Sequence, residues 1–357
     1  KLKISCIKIL GFIGDSNAIE ILKYVSNFEN AEVKLAYIQA LNYLNKKEGI
    51  DLIVKFINEP DARIKEAVVE TFERLNDKSV VPYLLKLLKD EDMWIKYFAL
   101  RTLKKYADET IKDKIISLLD YPAGLIKIAV LDILAKINYK IEFSKILNLL
   151  DDEDIDVRIE IIKYCEKLNI IEFSNRINDL IKSEDWRIKN AVIEAIGTFG
   201  KNQPQYLELL FDIFANPDSD IIIKKQICRT MGKLRTLRTF EFLLETSKNE
   251  ELYTECFDAL LNFEEEYILK VLEKFWSLNE FLQLLVIHLI ENSKTTIYDD
   301  KLIYLLNNTN SPTLKYEIIV CMGKLNRKKF INTLYPLAYP DKNIQKIAQE
   351  VLNILKK

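Results

Sequence analysis

The chain has little that breaks or pins a backbone. Eight glycines and eight prolines serve 357 residues, so tight turns and the punctuation that separates β-strands are scarce. There is one histidine, His288, in LLVIHLIEN. With no second imidazole to work beside, it reads as a surface or groove residue rather than a ligand or base. None of the five cysteines forms a CxxC pair. No run of eighteen apolar residues occurs, which excludes a transmembrane helix within this chain, and no signal peptide is visible. Neither charge dominates: the formal net charge is −2, so a broad basic surface for nucleic acid is not expected. Gly-rich phosphate loops, Gly-x-Ser-x-Gly and nucleophile–base pairs are all missing.

What is present is a helix-rich composition, 49% apolar and 30% charged, written as a repeat. Take the apolar residue before a recurring basic one as position 0. Position 1 then falls at Lys3, Lys34, Lys65, Lys96, Lys127, Arg158 and Lys189, always 31 residues apart. Weaker copies follow at Lys224, Tyr253, Gln283, Lys315 and Gln345. A constant period of this length means stacked supersecondary units. Position 1 of the first copy is the third residue, so the chain starts inside a repeat and is expected to be a fragment.

Each unit holds two helical patterns. In the second, helix B, apolar residues at 0, 4, 7, 8 and 11 form one stripe. Three residues before position 0 stands a short side chain able to cap the first turn: Asn30, Asp61, Asp92, Asp154, Asp185, Asp220, Asn249, Asn279, Ser311 and Asp341, with Ala123 breaking the series. Pro312 fits a first turn. The first pattern, helix A, covers stretches such as 18–25, 50–57, 80–88, 111–119 and 141–150, and Pro82 sits in a first turn. A lone hairpin of such helices is marginal, so neighbours must supply the burial. The step of 35 between Lys189 and Lys224 marks extra residues at 200–205 or 216–220, read as a longer loop and not as a domain boundary.

The run Asp–x–x–Ile/Val–Lys/Arg–x–x–Ala–x–x–x–Leu, as in Asp185, Ile188, Lys189, Ala191 or Val192, and Ile196, resembles the HEAT repeat, in the short form also found in phycobiliprotein lyases. The resemblance implies an all-α right-handed superhelical solenoid of about 11–12 hairpins. It implies one domain over 1–357, regular over 1–200 and irregular over 201–357. It also implies helix B lining a concave face, and a ladder between repeats made by the Asp and the basic residue; at Tyr253, Gln283 and Gln345 the charge for that ladder is gone. HEAT-like hydroxylases bind iron through several His–Glu pairs, which one histidine cannot supply. HEAT-like glycosylases use concave aromatic and acidic residues, but Trp94 and Trp186 lie at the repeat edge and are expected to pack between repeats.

Four cysteines, Cys6, Cys165, Cys256 and Cys321, take stripe positions, and Cys228 sits beside the stripe. Free buried thiols suit a reducing compartment and a cytoplasmic location. No cofactor and no metal site are expected. Residues 224–238 carry Lys224, Lys225, Arg229, Lys233, Arg235 and Arg238 with no acid, and 241–266 is rich in Glu. Adjacent repeats could neutralise one another, or the basic stretch could take an acidic segment. Position 2 of helix B should face outward, yet it holds Ile4, Leu35, Tyr97, Ile128, Ile159, Leu284 and Tyr316, with Glu66, Asn190, Lys225, Thr254 and Lys346 between, beside a polar position 6 that includes Arg101, Lys163 and Arg229. An apolar ridge with a polar border suits a protein partner; equally, curvature could press these side chains onto neighbouring B helices. The resulting expectation is a non-catalytic scaffold or adaptor that binds a protein or peptide through Tyr97, Arg101, Ile128, Ile159, Lys163 and Arg229. The alternatives are a lyase-like chromophore-handling protein, a nucleic-acid binder through 224–238, and the soluble part of a membrane-attached protein.

Overall fold

A computed structural model of the protein describes residues 2–15, 17–25, 28, 30–201, 203–293, 295–335 and 341–356. The described residues form helices and turns, with no strand among them. The chain divides into two compact units, 1–176 and 177–357. The first runs α1 (Leu2–Ile13), α2 (Asn17–Lys23), α3 (Ala31–Leu44), α4 (Ile50–Ile53), α5 (Ala62–Leu75), α6 (Val81–Leu87), α7 (Met93–Leu103), α8 (Lys112–Ile115), α9 (Gly124–Lys136), α10 (Phe143–Leu150) and α11 (Ile155–Lys167). The second runs α12 (Ile177–Leu180), α13 (Trp186–Phe199), α14 (Pro204–Ala215), α15 (Ile221–Leu234), α16 (Leu237–Thr246), α17 (Tyr253–Leu260), α18 (Glu265–Glu273), α19 (Glu280–Glu291), α20 (Asp299–Asn308), α21 (Pro312–Leu325), α22 (Ile331–Leu334) and α23 (Lys342–Leu355). Odd numbers are the B helices and even numbers the A helices. Several A helices are only four residues of α-helix flanked by 3-10 turns.

The caps explain the register. Asn30, Asp61, Asp92, Asp154, Asp185, Asp220, Asn279, Ser311 and Asp341 each accept a hydrogen bond from an amide of the following first turn, worth about 1 kcal/mol apiece. Ala123 makes none. Asn249 differs: it accepts from the Glu251 amide, while α17 begins only at Tyr253 with Leu252 as its uncapped N-cap. The far ends of the B helices are also marked. Asn45, Asn76, Asn138, Asn169, Arg235 and Asn326 have positive φ, all twelve residues after position 0, in the left-handed conformation that Asn tolerates and that closes helices. The extra length of the long step falls partly in the connection between Phe199 and Pro204, within 200–205, and partly in α14, which is 12 residues long, inside the second unit.

The core is broader than the five-position stripe. Position 5 is buried as well, from Ile7, Ile38, Val69, Leu100, Leu131 and Ile162 in the first unit to Ile193, Cys228, Ile287 and Ile319 in the second. These side chains point toward neighbouring B helices, which approach closely: a Cβ on Gly11 would lie 2.6 Å from Ala40 Cα, and one on Gly232 would lie 2.9 Å from Ala259 Cα. In α1 Leu2, Cys6 and Ile9 of the stripe are exposed.

Ion pairs join successive repeats, but not through the expected acid. Lys34 pairs with Glu59, Lys65 with Asp90 and Lys127 with Asp152, at 2.8, 2.6 and 2.6 Å. Each acid stands two residues before the next repeat's cap. The cap carboxylate is occupied by its own helix: Asp61 holds the Arg63 amide and guanidinium, and Asp185 those of Arg187. Asp90 and Asp152 also accept from the amides of Asp92 and Asp154. Burial alone would raise the Asp90 carboxyl, but the Lys65 and Asp92 hydrogen bonds hold it below the usual carboxylate value. Where the acid is replaced by Tyr121, Lys96 lies 5.1 Å from the ring centroid.

Candidate functional site: the open side of the B helices

Tyr97, Ile128 and Ile159 occupy the same register on α7, α9 and α11, consecutive helices of the first unit. All three are half-buried. Position 2 is adjacent to position 5, which is closed between helices, so its side chains are sheltered on one flank and open on the other. Around Tyr97 the apolar surface is aromatic: its ring centroid lies 6.2 Å from that of Trp94 and 5.7 Å from that of Phe98. Trp94 and Trp186 are about half exposed, not packed between repeats as the sequence suggests: each stands in the first turn of its helix, and the Trp94 ring lies against Tyr97 and Phe98 of that same helix.

Arg101 and Lys163 are exposed on the same helices. Arg101 reaches back to Glu73, Nη2 to Oε2 2.9 Å, and its guanidinium lies 5.3 Å from the Phe98 ring centroid. Lys104, which directly follows α7, pairs with Asp132 of α9. The polar border of the ridge is thus largely engaged between repeats. Glu160, next to Ile159, and Lys163 are exceptions: no ion pair or hydrogen bond reaches either among the described residues. Glu160 is half-buried; burial pushes its carboxyl above the usual glutamate value, Lys163 opposes this and Asp132 adds to it.

Arg229 belongs to the second unit and is exposed there. It and Lys225 share Glu255, at 3.1 and 3.6 Å. Lys233 pairs with Glu194, Arg238 with Glu208, and Lys224 lies 5.9 Å from the Phe214 ring centroid. The basic stretch is answered by repeats on both sides, which leaves little free charge for phosphates. His288 Nε2 lies 3.5 Å from Glu317 Oε2. Among the described residues no group of three or more His, Cys, Asp or Glu is arranged to hold a metal ion, and no helix is long and apolar enough to cross a membrane.

A family model described as HEAT repeats matches residues 20–95, 50–135 and 143–225, more than half of the chain. The chain belongs to the HEAT-repeat family. Solved structures agree on the HEAT fold. The Kap95:Nup1 complex superposes with a TM-score of 0.59 at 13% identity, over 99% of this chain and 59% of that one. Yeast importin-β (Kap95p) gives 0.57 at 12%, over 98% and 57%. Importin-β in a polyethylene glycol condition gives 0.53 at 14%, over 99% and 68%. This HEAT chain therefore spans under two thirds of the yeast importin-β chains. No curated protein matches its sequence.

Proposed function

We propose that this HEAT chain is a non-catalytic interaction scaffold that holds a protein or peptide along the concave surface lined by its B helices, through Tyr97, Arg101, Ile128, Ile159 and Lys163 in the first unit; Arg229 is the corresponding candidate in the second unit, taken by itself. The observation that carries this reading is the half-open apolar register on three consecutive helices. Charges border it, and buried neighbours keep its side chains from collapsing inward. A partner would gain affinity by completing the burial of these anchors, and the charged rim would select among partners. The yeast importin-β solved with Nup1 shows the same fold holding a protein and is in keeping with this. The reading includes one continuous solenoid domain, a cytoplasmic setting suited to the free thiols, and no cofactor.

Tyr97→Asp and Ile128→Asp test it. Each places a charge on a half-open surface that tolerates one in the free protein, so helix content should persist while partner recovery from native lysate falls at least about tenfold. Unchanged recovery refutes the strip. Incubation with a bilin and an acceptor protein tests the lyase-like alternative: colour retained by the chain would favour it over the scaffold.

A further inference from the structure

The three glutamates at position 3 of the B helices, compared with one another, show what the partner should carry. Position 3 holds a glutamate on only three of the twelve B helices: Glu160, Glu255 and Glu317. Glu255 receives Arg229 and Lys225, from positions 6 and 2 of the preceding B helix. Glu317 faces His288, again from position 6 of the preceding helix. For Glu160 the same two places on α9 hold Asp132 and Ile128. One repels it and the other cannot bond it. Lys104, which could have served, is engaged with Asp132. Lys163, one turn along α11, is exposed, and among the described residues no ion pair or hydrogen bond reaches the Glu160 carboxylate. Glu160 is nonetheless half-buried beside the apolar register, so a carboxylate loses water there without gaining a partner.

We infer that Glu160 receives a cation from the bound partner: the occupant of the Tyr97–Ile128–Ile159 strip is a segment that sets a lysine or arginine beside its apolar anchors, where Arg229 stands toward Glu255. The inference rests on the strip being the binding surface. Charge complementarity then decides the occupant, since a partner burying Ile128 and Ile159 must cover Glu160 too, and covering it unpaired costs more than leaving it wet. An ammonium or guanidinium there makes a charge-assisted hydrogen bond in a sheltered place. An acidic or phosphorylated segment would bring its charge against Glu160, which has no cation of its own to offer it.

Selection of random peptides displayed on phage, against the immobilised full chain and its variants, tests this. Peptides selected on the wild type should be enriched in Lys or Arg adjacent to aliphatic or aromatic residues. Those peptides should bind Glu160→Gln about tenfold more weakly. They should bind Asp132→Arg, which supplies a guanidinium at the place where Arg229 serves Glu255, with a similar loss. Re-selection on either variant should keep the apolar preference and lose the basic one. Selected peptides without basic enrichment, or peptides that bind both variants as well as the wild type, overturn the inference. If Ile128→Asp still abolishes that binding, the strip stands and only the cation is wrong. If the peptides bind Ile128→Asp unchanged, the strip itself is wrong and the inference goes with it. Failure to select any peptide overturns both.

Discussion

Asp90→Asn separates a structural rung from a decorative surface ion pair. Lys65 Nζ lies 2.7 and 2.6 Å from the two Asp90 oxygens, and the side chains are 11% and 12% exposed. Asparagine keeps an oxygen for the Asp92 amide, so the turn survives and only the charge is lost. Breaking a fully buried pair by removing one partner costs about 3–5 kcal/mol; the remaining exposure lowers this to about 2–3 kcal/mol. Asp152→Asn should match it, because Lys127–Asp152 is equally sheltered at 14% and 10%. The Lys34–Glu59 rung is about twice as open, 23% and 20%, and Glu59→Gln should cost about 1 kcal/mol. Urea unfolding read by tryptophan emission provides the comparison, with Trp94 four residues from Asp90 as a local reporter. Lys65→Met in the Asp90→Asn background should restore at least about 1 kcal/mol, since the stranded ammonium is the larger part of the loss. Equal costs for all three acids, or strict additivity of Lys65→Met and Asp90→Asn, would refute the reasoning.

Three further outcomes follow from the geometry. Arg235→Asn should raise stability by about 0.5–1 kcal/mol in thermal unfolding, because position 235 sits at φ 52° where Asn is tolerated and Arg is strained; a loss of stability would show that the Arg235 side chain has a role. In native protein one thiol, Cys6, should react promptly with Ellman's reagent, and Cys165, Cys228, Cys256 and Cys321 only after unfolding, since those four are buried and burial pushes the Cys165 and Cys321 thiols up to about 12. Two prompt thiols would contradict this. Hydrogen bonds from Ser79 and Lys47 hold Asp77 down to about 2, and those from Lys78 and Thr110 do the same for Asp108. Their unfolded value is near 3.8, so their stabilisation is complete above about pH 4 and is lost as pH falls toward 2. Midpoints from thermal unfolding should fall across that window, and less steeply in Asp77→Asn/Asp108→Asn.

The period, the helix pairs and nearly every cap were legible in the sequence, because a capping side chain acts within three residues of its own helix. Asn249 misled because its oxygen closes a separate turn ahead of α17. The rungs were misassigned because the acid that a base meets depends on how one repeat lies on the next; Glu59, Asp90 and Asp152 nonetheless recur 25 residues after their lysines, a signal that was available. Position 5 lies beside the five-position stripe, yet it is apolar in every B helix except the last, where Gln349 stands. The asparagines at position 12 were likewise visible. Glu160 cannot be singled out from the sequence, since its lack of a partner matters only once Glu255 is seen with Arg229 and Lys225, and Glu317 with His288.

A photo-crosslinking amino acid placed at Ile159 tests the central claim most directly, with a second one on the A-helix side at Lys114 as control. After irradiation in native lysate, the account predicts a discrete crosslinked partner from position 159, none from 114, and loss of the adduct when Ile128→Asp is added. Equal crosslinking from both positions, or an adduct at 159 indifferent to Ile128→Asp, would contradict it.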